Sequence, residues 1–246
     1  MTDAAAGLDR DGRPAPGVAS TPEPRLGAAF REAVRDFYFN SWRLAPANLA
    51  WAAILVALLL VGAAWPPAFL ALGVLGVPVA GVHRMASQIV RGRAASFSDF
   101  ATGMRTFAVP ALAVGVGATI LAVVFAVNFI VGLQLDSPIG WFLAATAAYA
   151  ELALAMVLIA VWPLLVDVDR DGLPVRRKLR LAALVVIARP GRMLVLAIAL
   201  VVTLLAGVVL LAGIALVGVA YASLVATRYV LPLADRLEAA AVTRVG

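Results

Sequence analysis

From about Val109 to Leu133 the chain carries no charged side chain. At about 1.5 Å per residue, a helix of that length crosses the roughly 30 Å hydrocarbon core of a bilayer. Backbone in lipid must satisfy its own hydrogen bonds, so such a run is confined to a helix. Other apolar runs follow the same rule: Ala47 to Ala64, a continuation past Trp65-Pro66-Pro67 to Val82, Ile139 to about Trp162, and Met193 to Leu231. The last is nearly twice the hydrocarbon thickness and is expected to fold back near Gly213. With 63% hydrophobic and 14% charged residues, the chain has too little polar surface to clothe a soluble globule. Lipid is therefore the expected solvent.

The segments before these runs are amphipathic. Leu26, Phe30, Val34 and Phe37 share one helical face up to Arg43, beside Arg31, Glu32, Arg35 and Asp36. Phe37, Tyr38, Phe39 and Trp42 form an aromatic cluster suited to the headgroup region, and Pro46 marks the entry into lipid. In the second such segment, Ser96 and Asp99 have the spacing of a helix cap, and Phe97, Phe100, Met104 and Phe107 mark a face before Pro110. Gln134, Asp136, Ser137 and Pro138 form a short turn. In the third, Val175, Leu179, Ala182 and Val186 share the apolar side, and Pro190-Gly191 end the helix. The expected fold is all-α: a polytopic helical membrane protein of about six transmembrane helices, arranged as three hairpins, each preceded by an amphipathic interfacial helix. Residues 1–25 read as a disordered tail without a signal-peptide core, 26–240 as the transmembrane domain and 241–246 as a short tail.

The 20 Lys and Arg residues fix the threading. With both termini cytoplasmic, all of them fall in tails, long loops or inner helix ends, and the outer turns at Trp65, Asp136 and Gly213 carry none. The net charge of +6 thus reflects orientation, and no basic soluble domain exists to bind nucleic acid. The three units could be a parallel structural repeat, or simply what the positive-inside rule produces; both readings stand. The absence of cysteine excludes disulfides, thiolate metal sites and a cysteine nucleophile. No metal or cofactor site is expected.

Glu151 is the sharpest candidate for chemistry, because it lies midway along the fourth expected span, where an acid is costly. Thr119, Thr203 and Tyr221 fall at similar depth and could hydrogen-bond it. It could form a substrate or proton site, or merely an interhelical hydrogen bond whose cost the surrounding apolar residues offset. Asp167, Asp169, Asp171 and Gly172 copy the first half of a calcium loop, but Lys178 stands where the loop needs Glu. These acids are expected instead to cap the next helix and pair with its arginines. Arg176, Arg177, Lys178 and Arg180 are expected to face anionic lipid or a partner. Gly218, Ala222 and Ala226 form a small-residue stripe for packing within the bundle or between copies. His83 is expected to be solvated or carbonyl-bound at an inner helix end, and Arg228 and Tyr229 to anchor the inner interface.

Phe39-Asn40-x-Trp42, the run Ile89-Val90-Arg91-Gly92-Arg93 with Phe97-x-Asp99-Phe100 after it, and the segment ending in Pro190 resemble the YesL-like family of bacterial integral membrane proteins, a domain of unknown function. The resemblance covers about Phe30 to Leu237. It implies a multi-pass protein of the bacterial cell membrane, in a family associated with carbohydrate uptake and breakdown, and supplies no catalytic residues. No Walker loop, zinc signature or nucleophile motif appears, so a non-enzymatic protein is expected. The leading expectation is an accessory or regulatory component of a transport system, with transporter subunits or a second copy as partners. The alternative is a small transporter or channel with Glu151 at its site.

Overall fold

A computed structural model describes residues 24–209 and 217–243. Among them there are only helices: α1 (Leu26–Ala64), a 3-10 segment (Pro66–Leu75), α2 (Gly76–Val90), α3 (Phe97–Thr106), α4 (Ala108–Gln134), α5 (Pro138–Leu165), a 3-10 turn (Val168–Arg170), α6 (Val175–Ala188), α7 (Pro190–Val209) and α8 (Val219–Thr243). Five stretches are long and apolar enough to cross a membrane: α1, the 3-10 segment with α2, α4, α5 and α7 up to Gly207. Large apolar side chains lie exposed along α4, among them Ile120, Val124, Val127 and Ile130, as a lipid-facing surface requires. The chain is a membrane-embedded helical bundle. Residues 1–23 of the expected tail at 1–25 and the turn near Gly213 lie outside the described residues, and α8 runs into the expected C-terminal tail as far as Thr243.

Local signals place several boundaries. Ser96 opens α3, its backbone N–H donating to Asp99 Oδ2 at 2.7 Å, and Ser137 caps α5 by accepting from Gly140 N at 3.1 Å. Pro190 stands at the first position of α7, where its missing N–H costs nothing. Between the α4 N-terminal half and the 3-10 segment, the backbones nearly touch. A Cβ on Gly115 would sit 2.1 Å from the Gly73 carbonyl oxygen, so only glycine permits that crossing.

The first unit departs from expectation. The amphipathic segment and the first span are not two helices meeting at Pro46 but one 39-residue helix with Pro46 inside it. An internal proline costs about 3 kcal/mol in lost hydrogen bonding and ring clash. Here α8 braces α1 on both sides of it. Below the proline, Arg228 reaches Asp36 at 2.6 Å and Glu32 at 3.2 Å. Above it, the Ala220 backbone N–H donates to the buried Asn48 Oδ1 at 2.9 Å. Arg228, expected as an interface anchor, is thus an interhelical tie, and Tyr229 is fully buried in the core.

The main core gathers Leu44, Met85, Leu164, Leu196, Leu224 and Tyr229 from α1, α2, α5, α7 and α8 at the arginine-bearing end of the bundle. The sixth expected span is described only as α8, which carries Arg228 before its midpoint and Asp235, Arg236 and Glu238 after it.

Candidate functional site

Polar chemistry concentrates at two places, one at the arginine-bearing end and one at mid-depth between α4 and α5. At the first, Arg84, Ser87 and Arg91 fall at spacings of three and four along α2 and its C-cap, and so share a face. The turn after α5 brings Asp167, Asp169, Arg170 and Asp171 to it, and α8 brings Asp235 and Glu238. Asp167 is fully buried. It accepts from Arg91 Nη2 at 2.7 Å and Ser87 Oγ at 3.0 Å, and it pairs closely with Arg170. Arg170, 4% exposed, also reaches Asp235 and Glu238, each at 2.6 Å. Arg91 reaches Asp235 at 2.7 Å and Asp169 at 3.0 Å. Arg84 grips Asp171 with two hydrogen bonds, of 2.7 and 2.6 Å, and Arg93 meets Asp169 at 2.5 Å.

Four guanidiniums therefore face five carboxylates, and Lys178 restores neutrality from beside them. Burial opposes the charge on Asp167, but the hydrogen bonds and charges of Arg91 and Arg170 outweigh it and hold the carboxyl below its ordinary value. Burial likewise opposes the charge of Arg91 and Arg170, and their carboxylate partners reverse this, so both guanidiniums are held more basic than usual. Every carboxylate of the half calcium loop is thus occupied by an arginine. Among the described residues no group of three or more His, Asp or Glu side chains converges as a metal site.

Four expectations are corrected here. The loop acids neither cap α6 nor pair with its arginines, because Pro174 is the N-cap of α6 and no side chain caps it. Asp169 and Asp171 turn back to arginines at the end of α2 instead. Lys178 is not on the surface: it is 2% exposed, its Nζ donates to the Leu165 carbonyl at 2.7 Å, and it lies 5.2 Å from the Phe107 ring centre. Burial pushes its amine down from the ordinary lysine value. Val175 and Leu179 accordingly face outward, and the buried face of α6 is Lys178, Leu181, Ala182 and Val185. His83 is also buried, stacked on Trp162 with ring centres 6.4 Å apart, because α2 runs two turns past it to Val90. Arg176, Arg177 and Arg180 are exposed.

At mid-depth, α4, α5 and α7 enclose an open groove of about 860 Å³, with Thr119, Ala122, Ala126, Glu151, Ala155 and Val201 among its walls. Glu151 and Thr119 are thus brought together. Thr203 and Tyr221 are not part of this site. Thr203 Oγ1 donates to the Ala199 carbonyl of its own helix at 2.8 Å, and Tyr221 packs with Phe30 at a ring separation of 6.5 Å. No hydrogen bond or ion pair joins Glu151 to a described residue.

Arg84, Arg91, Arg170, Asp235 and Glu238 were not among the expected site residues. A signal for them existed: Asp235 and Glu238 are acids three apart on the last helix, at the end where arginines accumulate. Counted only for orientation, those arginines do not reveal which acids neutralise them. No family model, no curated protein and no solved structure matches this chain.

Proposed function

We propose that this chain is a non-enzymatic accessory or regulatory component of a transport system in a bacterial cell membrane, with both termini cytoplasmic. The observation that carries this reading is the neutralised ion-pair lattice at the arginine-bearing end. Its carboxylates and guanidiniums are engaged with one another in joining α2, the turn after α5, and α8, as a structural role requires. Outside it, the exposed Arg176, Arg177 and Arg180 make no ion pair with described residues and remain available to anionic lipid or a partner. The resemblance to the YesL-like family supplies the link to carbohydrate transport. Purification in mild detergent from cells growing on a polysaccharide tests this. Subunits of a transporter are expected in stoichiometric amount, and Arg176→Ala/Arg177→Ala/Arg180→Ala is expected to release them. Retention by the triple variant would overturn the inner-face assignment.

A second reading is favoured by one observation, the groove that brings Thr119 to Glu151 at mid-depth. In it the chain is itself a transporter or channel. Proteoliposomes holding only this protein would then move protons or solute, and Glu151→Gln would stop them; impermeable proteoliposomes would dismiss it.

A further inference from the structure

We infer that the mid-depth groove is the seat of a transmembrane helix from a different protein, one carrying a lysine or arginine at the level of Glu151. This rests on the reading of the chain as an accessory subunit and names the contact that would make it one.

Shape comes first. The groove walls run from Ala118 to Phe129 on α4 and from Ala147 to Leu158 on α5. Each wall is about three helical turns, or roughly 16 Å, long. A trough of that length matches a helix lying alongside. Ala118, Ala122 and Ala126 recur every fourth residue on one wall, and Ala148 and Ala155 lie seven apart on the other. With such small side chains two backbones approach closely, which is how helices associate where lipid offers no hydrophobic drive.

Charge then selects the occupant. Glu151 stands in the wall with no partner among the described residues, and an acid at this depth is expensive unless it is matched. Lysine and arginine in this chain are confined to its basic end and tails, with none on the mid-depth part of α4, α5 or α7. A second copy therefore brings another carboxylate and no cation. A lipid chain would fill the trough but leave the carboxylate unmatched. A foreign helix with a basic residue supplies both the surface and the counter-charge, with the Thr119 hydroxyl alongside as a further hydrogen-bonding group.

The test is site-specific photocrosslinking in living cells with benzoylphenylalanine at Ala122 or Ala155, and at Arg180 as the inner-face position. The groove positions are expected to crosslink to a transmembrane segment of another protein with Lys or Arg within one turn of the adduct. Glu151→Gln, nearly isosteric, should cut that yield at least fivefold while the protein stays monodisperse. Glu151→Lys combined with acid at the partner's basic position should restore it. Adducts only to lipid, to this same chain, or to a helix without a base would overturn the inference, as would a yield indifferent to Glu151→Gln. If Arg180 still captures a partner in those cases, the accessory reading stands and only the groove assignment falls. If no position captures a protein, both fall.

Discussion

Lys178 and Arg180 are two residues apart on α6 and live in different solvents. Lys178 is buried against Phe107 and bonded to the Leu165 carbonyl; Arg180 is exposed. Lys178→Met leaves that carbonyl unpaired and the lattice one positive charge short, and should cost about 1–3 kcal/mol. Arg180→Met should stay within about 0.5 kcal/mol. Denaturant titration in detergent compares the two, and equal losses would refute the burial difference. Asp167 is the residue on which two guanidiniums converge. Asp167→Asn leaves buried charge uncompensated, with an expected loss of about 3–5 kcal/mol at neutral pH. Because the Asp167 carboxyl is held below its ordinary value, its contribution is complete above about pH 4 and disappears as pH falls through the folded-state value. Thermal stability of the native chain should therefore drop on acidification, and the drop should be shallower in Asp167→Asn.

Helix α1 departs furthest from a local reading. Its amphipathic half, aromatic cluster and apolar half are all legible in the order of residues, and Pro46 marks a natural break between them. α1 nevertheless runs unbroken through Pro46, and α8 ties Asp36 and Asn48 on either side of it, through residues far along the chain that no local pattern reveals. By contrast, Ser96 with Asp99, Ser137 and Pro190 act within one turn, and their helix boundaries fall where the sequence places them. His83 and Lys178 divide the same way. Periodicity puts them on a helix, but only the arrival of Trp162 and Phe107 decides that they are buried. If bracing by α8 is what keeps α1 whole, Arg228→Ala should cost more with Pro46 present than in a Pro46→Ala background. A double-mutant cycle should give a coupling of about 0.5–3 kcal/mol; strict additivity would show that Pro46 needs no brace.

Across the whole molecule, the charges predict a threading, and the lattice gives their clustering a second role. Arg84, Arg91, Arg93 and Arg170, counted in sequence toward orientation, also bind α2, the turn after α5, and α8 together. Mean charge per segment conveys the first role, and only long-range contact conveys the second. The same limit applies to the groove: Glu151 stands out in sequence, whereas its neighbours depend on how α4 meets α5. Because the chain has no cysteine, single cysteines report orientation cleanly. Trp65→Cys should react with an impermeant maleimide added outside intact cells, and Arg180→Cys only after permeabilisation; the reverse pattern would invert the threading. The pairing of α1 with α8 also dictates an order of assembly. Arg228 and Ala220, which pair with Asp36 and Asn48, are made 192 and 172 residues later, so α1 is completed only once α8 has been made. Until then Glu32 and Asp36 lack Arg228, and Pro46 is unbraced. A chain cut short before α8 carries that defect permanently, which gives membrane quality control a way to tell an unfinished copy from a finished one.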